Sequence, residues 1–152
     1  MAADAAAPRQ VEDWTPARAF LGFSAAYHLL LAAGGLAIDQ TFPVGADAAA
    51  RAGSKHVFGI FETNGWHSVA GLLVGVVSLY YTLRPAHARP AAFALGLSQL
   101  GVVVAFAVVA PTTFWFASNG ADQVIHAATA VGGIGSALLT RRDPESSRSS
   151  AS

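Results

Sequence analysis

Four apolar runs alternate with short polar stretches along this chain, and that alternation predicts four helices. The runs cover about residues 17–38, 64–83, 91–110 and 122–140. Each approaches the roughly 20 residues that an α-helix needs to cross a hydrocarbon core about 30 Å thick. The expected fold is therefore an all-α integral membrane protein, with residues 17–140 forming an up-down-up-down bundle of four transmembrane helices. Residues 1–16 are Ala-rich, carry Asp4, Pro8, Arg9, Glu12 and Asp13, and show no apolar periodicity, so they read as a disordered lead. Residues 141–152 open on Arg141 and Arg142 and turn Ser-rich, which reads as a solvated tail.

The longest polar connection spans 39–62 and holds Pro43, Gly45, Arg51, Gly53 and Lys55. It ends in Val57 to Phe61, apolar enough to lie at an interface or to begin the second helix early. Arg84 to Pro90 reads as a tight basic turn, since Pro85 and Pro90 each interrupt helical hydrogen bonding. Pro111 ends the third run. A cleaved signal peptide is the competing reading of the first run. It is disfavoured because acids offset Arg9 and Arg18, and because the nearest Ala-x-Ala site, Ala46 to Ala48, lies well past the run.

Within the runs, polar and small residues share single faces. Asn64, His67, Gly71, Gly75, Ser78 and Thr82 recur at three- and four-residue spacing, as do Asp122, His126, Thr129, Gly133, Ser136 and Thr140. The first run offers Ser24, His28, Ala32 and Gly35, and the third offers Gly96 and Gln99. Gly71, Gly75 and Gly133 predict close helix packing, which small side chains permit in a membrane, while polar residues find partners inside the bundle. These stripes are expected to face the bundle axis.

Composition supports that setting: 53% of residues are hydrophobic and 12% are charged, about half the charged share of a soluble domain. A formal net charge of zero leaves no basic stripe for nucleic acid, and a lipid bilayer is the expected partner. With no Cys and the single Met at position 1, thiolate chemistry, Cys-ligated zinc and a thioether copper site are excluded. If the N-terminus is cytoplasmic, Arg9, Arg18, Arg84, Arg89, Arg141, Arg142 and Arg148 lie inside, against Arg51 and Lys55 outside. The positive-inside rule then places both termini in the cytoplasm of a multi-pass cell-membrane protein. Trp66, Phe114, Trp115 and Phe116 fit the outer interface, and Trp14, Tyr80 and Tyr81 the inner one.

Asn64, His67, Asp122 and His126 form the candidate polar cluster near the outer face, with His28 and Gln99 as an extension near the midplane. Ionisable residues inside a membrane are costly enough to be functional hypotheses. A structural reading stands beside this one. In it Asn64 and Asn119 are N-caps, Asp122 favours the helix dipole, and neutral His67 and His126 bridge helices by hydrogen bonds. His56 and His87 read as solvated loop residues. His67 and His126 head helices running the same way, so they are expected to face each other across the bundle diagonal, farther apart at the axes than neighbours packed at about 8 to 10 Å.

Phe58-Gly-Ile-Phe61-Glu-Thr-Asn64-Gly-Trp-His67, followed by Gly71, and Asn119-Gly-Ala-Asp122-Gln-Val-Ile-His126 resemble the two signature segments of a family of small four-helix membrane proteins common in actinobacteria, domain of unknown function 4383. The resemblance covers about Ala17 to Thr140. It implies a fold and a location, because the family has no assigned biochemistry. Members often carry a second His three residues after the first, where this chain has Ala70, and an Asn where it has Ser68. If that His pair binds metal in the family, this chain is expected to bind it poorly.

Two functional readings follow. The first is a non-enzymatic structural or interaction subunit, with a membrane-protein partner or a homo-oligomer left open. The second is a transport or redox component in which His67, His126 and His28 form a descending ladder for protons, a metal ion or haem, with Asp122 or Glu62 orienting a ring nitrogen. No cofactor is expected under the first reading. An enzyme is the weakest reading, since no nucleophile and base can be paired.

Overall fold

A computed structural model of the chain describes residues 14–51, 53–109 and 115–140. The lead over 1–13, the tail over 141–152 and the Pro111 stop lie outside those residues. The described chain is mostly helical, with α1 (Pro16–Ile38), α2 (Ala46–Arg51), α3 (Gly65–Thr82), α4 (Pro85–Val108) and α5 (Gly120–Leu139). A two-stranded antiparallel sheet joins β1 (His56–Val57) to β2 (Phe61–Glu62).

The starts of α1, α3 and α5 follow from their caps. Thr15, Asn64 and Asn119 each accept a hydrogen bond from the backbone N–H three residues on, and Pro16 occupies the first turn of α1, where its missing N–H is no loss. Two expectations are corrected. α4 begins at Pro85 and runs through Pro90, so the 84–90 turn shrinks to residues 83–84, and His87 and Arg89 are helical. Pro85 needs no donor at a helix start, and Pro90 deprives only the Ala86 carbonyl of its intrahelical bond, at an exposed position.

The 39–62 connection holds more structure than its composition suggests. Val57 to Phe61 does not start α3 early but forms the hairpin, with His56 opposite Glu62 and Val57 opposite Phe61. Ile60 N donates to Val57 O at 3.1 Å across Phe58 and Gly59, whose φ values of 52° and 71° are those a type I′ turn needs. Glycine holds that conformation freely, whereas Phe58 holds it against its own Cβ.

The long helices pack as two close pairs, α1 on α3 and α4 on α5, with α1 also touching α4 and α5. Contact between α3 and α4 is sparse, and α3 and α5 face each other diagonally. Two of the three packing glycines are tight. A Cβ on Gly75 would stand 2.7 Å from Leu29 Cγ, and one on Gly133 2.7 Å from the Ala92 carbonyl oxygen. Gly71 has room, with Ala32 Cβ 3.6 Å away. At the opposite end from Asn64, Arg18 Nε donates to Thr82 O at 3.2 Å and Arg89 Nε to Ala137 O at 3.0 Å, which satisfies last-turn carbonyls of α3 and α5.

The core beneath these contacts is made of small side chains: Ala17, Ala88, Ala92 and Ala137 surround Leu21. Large apolar side chains such as Phe23, Leu30, Leu73, Val108, Val131 and Leu138 are exposed instead. Among the described residues, two helices, α1 and α4, are long and apolar enough to cross a membrane.

Candidate functional site

The end of the bundle where α3 and α5 begin is tied together by backbone-directed polar side chains. Asn64 Oδ1 accepts from His67 N at 2.9 Å, and Asn64 Nδ2 donates to Trp115 O at 2.8 Å. In α5 a capping box forms, in which Asn119 Oδ1 accepts from Asp122 N at 3.1 Å and Asp122 Oδ2 accepts from Asn119 N at 2.8 Å. Asp122 Oδ2 also accepts from Glu62 N at 3.2 Å, and Asn119 Nδ2 donates to Ile60 O at 2.7 Å, so the hairpin is fastened to the head of α5. The Glu62 carboxylate in turn accepts from Gly53 N.

Beneath this cap three histidines from three helices meet. The His67 and His126 rings stack with centroids 6.2 Å apart and planes 25° from parallel. His28, from α1, lines the same two cavities as both of them. The ladder expected from helix depth is therefore a cluster. Gln99, placed by sequence near the midplane, meets His126 directly: its Oε1 lies 2.5 Å from His126 Nδ1.

Each histidine is oriented through Nδ1 by an oxygen that can only accept. His67 Nδ1 donates to Glu62 O at 3.0 Å, His28 Nδ1 to Ser24 O at 2.8 Å, and His126 Nδ1 to Gln99 Oε1. When neutral, all three are thus Nδ1–H tautomers with an acceptor lone pair on Nε2. No Nε2 atom of the three has a hydrogen-bond partner among the described residues, nor does Gln99 Nε2. The orienting role foreseen for a carboxylate falls to carbonyls, because Asp122 and Glu62 spend their carboxylates on backbone amides. Glu62 as the joint between hairpin, α5 and His67 is the residue that sequence reading undervalued.

The rings divide two spaces. On the α1 side, Tyr27, Glu62, Asp122 and the three histidines border a cavity of about 40 Å³, of water-molecule scale. On the other side lies a cleft of about 410 Å³ between α3 and α4, polar at His28, His67, Gln99 and His126 and otherwise walled mainly by residues such as Val74, Val102 and Phe106. Gly71 borders both spaces, and its missing side chain helps to leave them open. Among the described residues no group of three or more His, Asp or Glu side chains is placed to hold a metal ion.

The fold and site define a mostly helical protein with helices of membrane-crossing length and a histidine cluster under a hydrogen-bonded cap. The chain belongs to the family described as domain of unknown function (DUF4383), whose model matches residues 18–139. No curated protein and no solved structure was found to match it.

Proposed function

We propose that this chain is a four-span, multi-pass cell-membrane protein with both termini cytoplasmic, non-enzymatic, whose histidine cluster near the outer face binds a hydrogen-bond-donating ligand. Support for four spans comes from side-chain distribution. α3 and α5 turn Gly75, Ser78, Asp122 and Gly133 inward and leave Leu73, Val76, Val124, Val131 and Leu138 exposed, as α1 and α4 do with Phe23, Leu30, Val104 and Val108. Large apolar side chains facing outward around a core of small ones suit lipid and not water.

The single observation that carries the binding reading is the row of free Nε2 atoms. Three imidazoles, each fixed by a bond to its other nitrogen, line one cleft together with Gln99, and none of the four Nε2 atoms has a hydrogen-bond partner among the described residues. Fixing one ring nitrogen to orient the other is how proteins prepare imidazole for a partner. With no three-ligand metal set among the described residues, a neutral O–H or N–H donor suits the site better than a metal ion.

Native mass spectrometry of protein extracted in mild detergent tests this reading. Wild type is expected to carry a one-to-one small-molecule adduct that a Gln99→Leu, His126→Leu variant of unchanged melting temperature lacks. An adduct retained by that variant, or none on wild type, contradicts it.

A further inference from the structure

The cleft beside the histidines does not stop at them. A second cleft of about 510 Å³ lies between the same two helices and shares Val74 and Ser98 with the first, so one crevice follows the α3/α4 seam from Phe116 and Ser118 to Tyr81 and His87. This is the seam where helix contact is sparse. Its walls are Leu73, Val77, Ala94, Leu95, Val102 and Ala105 for most of its length. Ser98 and Gly101, which border it, are exposed, so the crevice opens sideways on the helix surface. In a bilayer that surface meets acyl chains and not water.

The polar end is a built site independent of the apolar walls. His28 is 8% exposed and Gln99 4% exposed, both line the cleft, and the Nε2 atom of each has no hydrogen-bond partner among the described residues. A ligand that satisfied these atoms needs O–H groups, which donate to imidazole Nε2 and accept from the Gln99 amide. Carboxylate or phosphate heads meet three acceptors and the nearby Asp122 and Glu62, and are disfavoured.

Resting on the binding reading above, the geometry points to a single-chain neutral lipid with a hydroxyl-bearing head as the ligand. Its head hydrogen-bonds at His67, His126, His28 and Gln99, and its tail lies along the α3/α4 crevice. It enters from the bilayer between these helices. The first cleft's volume falls within the range of ordinary small-molecule sites, whose pattern of apolar walls and few convergent polar groups it shares.

The test uses full-length protein in nanodiscs with 15N-labelled histidine and three probes: 1-monooleoylglycerol, glycerol and methyl oleate. Monooleoylglycerol is expected to move the Nε2 resonances of His67 and His126 at a concentration at least about tenfold below that for glycerol, since each buried methylene adds affinity. Methyl oleate, with a tail and no donor, leaves them in place. Gly101→Leu projects into the crevice from a position where a Cβ meets nothing within 4 Å, and an unchanged melting temperature verifies its fold. It should weaken monooleoylglycerol about tenfold and leave glycerol unchanged. Equal affinities for the two alcohols, or an indifferent Gly101→Leu variant, would remove the tail site while the polar site stands. Histidines that respond to neither alcohol would overturn the binding reading itself.

Discussion

His67 and His126 stack 6.2 Å apart although they stand on α3 and α5, helices that face each other diagonally with almost no contact between their backbones. The two side chains bridge the bundle where the helices do not. Because contacting residues share an interaction energy, His67→Ala and His126→Ala should be non-additive by about 0.5 kcal/mol or more in thermal or denaturant stability. Losses that sum would mean that the rings stabilise their helices separately.

The two packing glycines and the roomy one should separate cleanly. Gly75→Ala drives a methyl group into Leu29, and Gly133→Ala drives one into the α4 backbone, so each should cost about 1–3 kcal/mol. Gly71→Ala meets only ordinary contact and should stay within about 0.5 kcal/mol of wild type. Equal stability of all three alanine variants would show that the helices are farther apart than described.

The cap gives a third expectation. Asn64→Ala removes an N-cap bond and the tie to Trp115, at a cost of about 1 kcal/mol or somewhat more. Asp122→Ala strips the acceptor from two backbone amides, Asn119 N and Glu62 N, and should cost about 1–3 kcal/mol. Because Glu62 O orients His67, Asp122→Ala should also shift the His67 ring resonances, whereas a purely local cap would leave them alone.

Membrane orientation is testable because the chain has no native Cys. A single Cys at the exposed Ser54 should react with an impermeant thiol reagent in intact cells, and one at the exposed Ala86 should react only after lysis. The reverse pattern inverts the proposed topology.

Much of this arrangement was legible in the sequence, and the parts that were not share a cause. The helix starts at Asn64 and Asn119 could be read because capping needs short polar side chains at fixed offsets. The faces could be read because small and polar residues repeat every three or four positions. The hairpin was hidden: its strands are two residues long, its turn uses Phe58 at positive φ, and its anchors on Asp122 and Asn119 come from about 60 residues away in sequence. The start of α4 was misread because Pro85 and Pro90 look like helix stops until the first is seen at the N-terminus. The pairing of Gln99 with His126 had a signal, a lone amide in an apolar run, but the identity of its partner depends on how α4 and α5 align. The histidine tautomers were illegible, since two of the three acceptors are backbone carbonyls, which every residue possesses.

Those tautomers can be observed directly. Long-range 15N–1H correlation spectra of histidine-labelled protein, recorded where the imidazoles are neutral, distinguish a protonated Nδ1 from a protonated Nε2. His28, His67 and His126 are all expected as Nδ1–H forms with bare Nε2 atoms. Protonation at Nε2 on His67 and His126 would contradict that expectation, because the nitrogens facing the cleft would then be donors, and the site would call for a different ligand.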